Sequence, residues 1–414
     1  MAHKIIINNL GPITYCEMDI GQFTVLTGPQ SNGKSTLAKA VYFFRTIKDD
    51  IMNLLGQIPS GYDLRLVLNN HLHRKFQSLF GHQNVYDPTM SVEYFYEKNN
   101  PESYIQMHMI YNEERKEHLP CISYGEDMLA IFYRINYGRS SLDKETINEI
   151  QKELSQGFRD DSETIFIPAG RSTLTLLSDQ LSFIFVAMDD SLRNNIDYCT
   201  RKYVELVLKT RQWFKSFSDF QGSKEIENLS SKVLAGKYKY VNDEERLYLS
   251  NQPDNSFVKI NYTSSGQQEA VWVFNLLTYF SEERKKVFLI IEEPEAHLYP
   301  ESQMHITDAL SVFAGRGNSV MFSTHSPYVL GELNNLIQCG QIKEKYIEAA
   351  QEVIPKSAWI APDVLNAFFV HDGICDSALG EYGLIMNELI DGASDIINER
   401  CDKILDMITE GGDD

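Results

Sequence analysis

The sequence predicts an α/β fold with a mainly parallel core sheet. Three observations carry that prediction. Gly28-Pro29-Gln30-Ser31-Asn32-Gly33-Lys34-Ser35-Thr36 fits the phosphate-loop pattern G-x-x-x-x-G-K-[ST]. It lies between an apolar, β-prone run, Phe23–Thr27, and a helical pattern at Leu37, Ala40, Val41 and Phe44. From residue 267 onward the pattern reads helix, strand, helix, strand. Two of those strands end in polar clusters: Val287–Ile291 in Glu292-Glu293-Pro294-Glu295, and Ser319–Phe322 in Ser323-Thr324-His325-Ser326-Pro327.

Taken in order, residues 4–8 and 13–20 read as strands around a Gly11-Pro12 turn, and a helix runs from Ser35 to about Asp50. Residues 51–85 read as helix, and His71-Leu72-His73-Arg74-Lys75 within them as a solvated helix face, since no Cys or acidic ligands accompany it. Ser91–Tyr96, Tyr104–Tyr111 and Met128–Tyr137 are rich in aromatic and β-branched residues and alternate, which predicts an antiparallel sheet. A charged helix over 142–156 and a buried strand, Thr164–Pro168, follow. Residues 173–219 read as mostly helical, including the apolar stretch Leu181–Met188. Short strands at 237–241, 246–249 and 257–262 lead to Ser264-Ser265-Gly266-Gln267-Gln268 and a buried helix over 267–280. A helix over 301–314 and a tail with a strand, Ala367–Val370, and a final acidic helix complete the chain. The expected organisation is a core from 1–50 and 256–340, inserted β and helical lobes over 51–255, and an α/β extension over 341–414.

Composition narrows the function classes. With 414 residues, 43% hydrophobic and 23% charged, the chain is an ordinary globular one. Its formal charge of −20 argues against nucleic acid held over the general surface, so any such contact has to be local or belong to a partner. The six cysteines are scattered, with no C-x-x-C, which suits a reducing cytosol rather than a zinc knuckle or disulfide frame. The first residues lack a signal-peptide layout and no apolar run has transmembrane length, so the expectation is a cytoplasmic protein without membrane contact.

The polar clusters make chemical sense together. Backbone N–H groups of Gln30, Ser31, Asn32, Gly33 and Thr36, at a glycine-containing loop and helix start, point at an anion. Lys34 would reach the outer phosphates of a nucleotide and the Ser35 hydroxyl would hold Mg²⁺. Carboxylates at the end of a buried parallel strand sit where such sheets bind ligands. Glu292 would hold the metal shell, directly or through water, and Glu293 would deprotonate an attacking water. His325, ending the neighbouring strand, would hydrogen-bond the γ-phosphate or that water. Ser326-Pro327 also reads as an N-cap and first helical residue.

Gly11-Pro12-Ile13, Gly28–Thr36, Ser264–Gln268, Ile291–Pro300 and Ser323–Pro327, in this order, resemble the ABC-type ATPase head. The branch is that of RecF, SMC and OLD-family ATPases, with the closest likeness to OLD-like anti-phage ATPases of the Septu and PARIS type. The two ends of the chain carry the resemblance; the middle, about 51–250, carries it loosely. The resemblance implies ATP and Mg²⁺ as cofactors and a head-to-head homodimer, or a higher homo-oligomer. In it, Ser265, Gly266 and Gln267 of one subunit would contact ATP on the phosphate loop of the other. It also implies a sensor or scaffold role beside a separately encoded effector such as a nuclease. Two alternatives remain: a RecF-like DNA repair ATPase, and a nuclease or toxin with an unrecognised site. The chain departs from the family at Glu292, where most ABC heads have Asp, and at the signature, which usually reads Leu-Ser-Gly-Gly-Gln. Gln77 is the candidate for the family's Q-loop glutamine, and Arg171 is open between a phosphate contact and a structural ion pair. Phe368–Asp376 distantly resembles a TOPRIM nuclease start, but Asp372 replaces its Glu and no Asp-x-Asp follows, so it reads as an acidic hairpin turn.

Overall fold

The computed structural model describes residues 3–56, 63–81, 86–137, 143–177, 180, 196–216, 224–250 and 256–410. The expected apolar helix over Leu181–Met188 lies outside them. Among the described residues an 11-stranded sheet runs in the order β6-β5-β4-β1-β2-β14-β13-β3-β12-β11-β7. Its strands are β1 (His3–Leu10), β2 (Ile13–Ile20), β3 (Phe23–Thr27), β4 (Ser91–Phe95), β5 (Tyr104–Asn112) and β6 (Glu117–Tyr124). The others are β7 (Glu163–Ile167), β11 (Val287–Glu292), β12 (Ser319–Thr324), β13 (Leu365–His371) and β14 (Ile374–Ser377). The block β13-β3-β12-β11-β7 is parallel throughout, and β6-β5-β4-β1-β2 is an antiparallel wing. A separate three-stranded antiparallel sheet holds β8 (Gly236–Val241), β9 (Glu244–Leu249) and β10 (Phe257–Lys259). The fold is thus α/β with a parallel core and antiparallel β parts, as the sequence predicts.

Alternation along the parallel strands builds two apolar layers. Leu26, Phe288, Ile290 and Met321 face one layer with α1 (Lys34–Arg45), α2 (Ile47–Leu55) and α3 (Leu64–Phe80). Phe23, Val25, Leu289, Ile291, Val320 and Phe322 face the other. That layer holds α9 (Ser265–Glu283), α10 (Pro300–Gly315) and α11 (Pro327–Gly340). Among the described residues no helix is long and apolar enough to cross a membrane.

The structure differs from the sequence reading in five places. Lys75, expected with His71 on a solvated helix face without acidic partners, is buried, and both residues pair with Asp50. Met128–Tyr137, expected as a strand, lies within helix α4 (Glu126–Tyr137). Its buried residues Met128, Ile131, Phe132 and Ile135 follow the i, i+3, i+4, i+7 spacing, so helical periodicity prevailed over β propensity. The third strand of the antiparallel wing is instead β6, which pairs with β5 through Pro120 opposite Met109. The helix expected from Ser35 to Asp50 breaks at Thr46, whose hydroxyl donates to the Tyr42 carbonyl at 2.7 Å. Residues 260–262, expected as strand, form a 3-10 turn. Finally, β7 and β13 are core strands although they come from the middle and tail of the chain.

Candidate functional site

Strand register sets the site. Thr27 at the end of β3 pairs with Thr324 of β12 and Phe369 of β13; Ser323 of β12 pairs with Glu292 of β11. The phosphate loop, Thr324-His325 and Glu292-Glu293 therefore leave one edge of the sheet together, the edge where parallel sheets bind ligands.

The loop closes as its glycines allow. Gly28 (φ 136°) lies so close to β13 that a Cβ there would sit 2.1 Å from the Val370 carbonyl oxygen. Gly33 (φ 99°) is the left-handed N-cap of α1, and a Cβ on it would strike Ile13 Cδ1 at 2.3 Å. The turn between β1 and β2 thus braces the loop from one side. The β13–β14 hairpin tip braces it from the other, with the Asp372 N–H donating to Asn32 Oδ1 at 3.0 Å. The stretch that distantly resembles a TOPRIM start is this hairpin. Asn32 Nδ2 donates in turn to the Gln30 carbonyl (3.1 Å). Ser35 and Gln30 are exposed; Thr36 lies 3.8 Å from where a Cβ on Gly11 would sit. Lys34 is buried and donates to the carbonyls of Gly28 (2.8 Å) and Pro29 (2.7 Å). Burial lowers its pKa to about 8, against the pull of Glu293 and Glu295.

The carboxylates differ in environment. Glu292 is buried; its Oε2 accepts from the Ala169 N–H at 3.2 Å, while Oε1 is buried without a protein partner. An orphaned buried carboxylate oxygen is costly unless something else engages it, and it fits a Mg²⁺ shell shared with the exposed Ser35 hydroxyl. Glu293 takes the left-handed region (φ 43°), with its N–H donating to Ser323 O at 3.0 Å. Its Oε1 lies 3.4 Å from His325 Nε2. That imidazole, with help from Lys34 and Arg171, holds the Glu293 carboxyl below the usual range despite partial burial. Glu295, which the sequence reading left without a role, orders the histidine turn. Its Oε1 accepts from Thr324 Oγ1 (2.6 Å) and the His325 N–H (3.1 Å), and burial raises its pKa.

Ser264 caps α9 in a reciprocal box with Gln267. The Gln267 side chain is committed there: its Oε1 accepts from the Ser264 N–H (3.1 Å) and its Nε2 donates to Leu234 O (2.7 Å). Ser265 is exposed at the helix start, and a Cβ on Gly266 would sit 2.6 Å from His297 O. Ser265-Gly266 therefore packs on the 297–298 turn, whereas the phosphate loop packs on the β1–β2 turn and the β13 tip.

Arg171 is fully buried, and its ion pair with Glu269 (3.1 Å) decides between the two readings of it. Its Nη1 donates to the carbonyls of Pro168 (2.8 Å) and Glu292 (2.7 Å), and its Nη2 to that of Glu293 (2.8 Å). Gln77 sits in the last turn of α3, with its carbonyl accepting from the Gly81 N–H at 2.9 Å. The strand flanking β11 is β7, so Ala169 and Arg171 occupy the place beside the carboxylates. A cavity of about 740 Å³ lies at the opposite end of these strands, lined by Asp50, Lys75, Glu163 and Lys286.

Comparison with known proteins adds the following. A family model described as AAA ATPase domain matches residues 66–330, more than half of the chain and starting after the phosphate loop. No curated protein matches the sequence. Three solved structures align at 11% identity each. One is an SMC head bound to the C-terminal winged-helix domain of ScpA (TM-score 0.41, covering 90% of this chain and 95% of that one). Another is the SMC head domain from Thermotoga maritima (0.38, 90% and 96%). The third is an SMC head with an extended coiled coil bound to the C-terminal domain of ScpA derived from Pyrococcus furiosus (0.40, 96% and 99%).

Proposed function

Because this chain belongs to the AAA ATPase domain family, we propose that Gly28–Thr36 binds ATP and that Glu293 and His325 support its hydrolysis. One observation carries the reading: the β3, β12 and β11 register delivers the phosphate loop, His325 and Glu293 to one edge, with carboxylate and imidazole 3.4 Å apart. The loop N–H groups and the start of α1 hold the phosphates, and Lys34 exchanges its loop carbonyls for phosphate oxygens. Bound Mg²⁺ supplies charge neutralisation on the phosphates. Glu293 takes the proton from water, and its ionised state near neutral pH suits a base. His325 fixes the carboxylate and donates toward the developing charge.

Ser265 is exposed at the start of α9, and Gly266 packs on the 297–298 turn, which supports a shared site. Two copies associate head to head, and Ser265-Gly266 of a second copy completes each ATP contact. Hydrolysis reopens the pair. In this ABC-type reading, of the OLD-like defence kind, the chain is a cytoplasmic sensor or scaffold whose nucleotide state governs a separate effector of nuclease type. The test pairs two variants. Glu293→Gln binds ATP, turns over slowly and accumulates closed assemblies in size-exclusion chromatography with light scattering. Ser265→Arg binds ATP and stays unassociated. Normal turnover by the first sinks the base assignment, and ATP-driven association by the second sinks the shared site.

A further inference from the structure

We infer that the Arg171–Glu269 pair relays docking at the start of α9 to the backbone of Glu293, making Arg171 a positioning residue for hydrolysis. The inference rests on the two-copy reading above. Glu269 stands one helical turn beyond Ser265, so it moves with the part of α9 that a second copy would touch. Its carboxylate accepts from the backbone N–H groups of Arg171 (3.1 Å) and Ser172 (2.9 Å), in addition to the guanidinium. The start of α6 (Arg171–Leu176) is therefore tied to α9 by two backbone bonds and one ion pair. A further bond, Thr175 Oγ1 to Gln268 O at 2.9 Å, strengthens the tie.

The other end of the relay is the catalytic strand. Glu293 holds a left-handed backbone (φ 43°) that a non-glycine residue keeps only when its surroundings fix it. Three bonds do so: its N–H donates to Ser323 O (3.0 Å), and its carbonyl accepts from Arg171 Nη2 (2.8 Å) and from the Ala296 N–H (3.1 Å). Arg171 also fixes the Glu292 carbonyl, and Ala169 in the same turn donates to the Glu292 side chain. A planar guanidinium with fixed donor directions cannot shift without shifting the carbonyls it holds. The Cα–Cβ direction of Glu293, and hence its aim at a water beside His325, follows the position of Glu269.

The test uses Glu269→Gln in the full chain. The expected result is ATP affinity within about threefold of wild type and retained ATP-driven association, with kcat reduced about 10- to 100-fold and KM unchanged, the cost of a sub-ångström misplacement. Wild-type kcat in this variant overturns the relay, and so does a parallel loss of binding and turnover. Should the variant not fold, hydrogen–deuterium exchange on the wild type decides. ATP should slow exchange over residues 169–173, and should not in Ser265→Arg; equal protection in both overturns the relay. Failure of the wild type itself to hydrolyse ATP or associate is a different result, and it overturns the proposed function together with the relay.

Discussion

The Glu293 carboxylate and the His325 imidazole face each other 3.4 Å apart across the ends of two adjacent parallel strands. The imidazole is the main reason the Glu293 carboxyl titrates below its ordinary value. A carboxylate held this way stays ionised through and below the usual carboxylate range, and its charge is lost only as pH falls through its depressed pKa. His325→Ala should therefore do two things. It should lower kcat about 100-fold or more, and it should move the acid limb of the kcat profile to higher pH. A steady-state pH series on both proteins checks the direction; an unmoved acid limb would detach His325 from the base.

Lys34 makes a separate pH prediction. Buried against loop carbonyls it titrates at about 8. Phosphate oxygens favour the charged form, so the pKa rises on binding and ATP binding takes up protons near pH 8. Affinity should weaken as pH climbs above 8, which calorimetry in buffers of different ionisation enthalpy reads directly. Lys34→Ala should lose both the proton uptake and most of the affinity.

Gly28 offers a packing test. Alanine there meets the Val370 carbonyl at 2.1 Å in a backbone conformation with φ 136°. The clash is with backbone, so β3 and β13 must separate. Gly28→Ala should cost about 2 kcal/mol or more, by strain at a special φ and by overpacking. Chemical denaturation measures it.

The ion pair of Lys75 with Asp50, also bonded to Thr46 Oγ1 (2.7 Å), is buried between α2 and α3. Burial pushes the Asp50 carboxyl up, but Lys75 and His71 prevail and hold it below its ordinary value. Its contribution is present above the unfolded carboxylate pKa and lost as pH falls through the depressed folded one. Lys75→Met alone should cost about 3 kcal/mol, because the buried Asp50 carboxylate loses its ammonium partner and keeps His71 Nε2 at 3.2 Å. Asp50→Leu combined with Lys75→Met should recover much of it. Urea denaturation of the three proteins at neutral pH measures both.

Much of the site was legible in the sequence because each part is local. Gly28–Thr36, Glu292-Glu293 and Thr324-His325 are short runs at strand ends, and one register brings them together. The missed parts are non-local. Nothing near Arg171 announces that its partner is Glu269 or that it grips the carbonyls of Glu292 and Glu293. The stretch 128–137 failed for another reason. Its β-branched and aromatic residues satisfy both a strand and a helix pattern, and only burial of Met128, Ile131, Phe132 and Ile135 separates them. Gln267 fits an anion contact in sequence, but its amide is taken by the cap and by Leu234 O.

The placement of β3 between β12 and β13 has a consequence for biosynthesis. The phosphate loop leaves the ribosome before either strand that flanks β3, since both are encoded beyond residue 318. Until they emerge, β3 has two unpaired edges and Gly28 has no Val370 to lean on. The nascent chain thus carries a nucleotide motif without its flanking strands until residues 319–371 have followed it. The loop gains its brace from the hairpin tip only when Asp372 reaches Asn32.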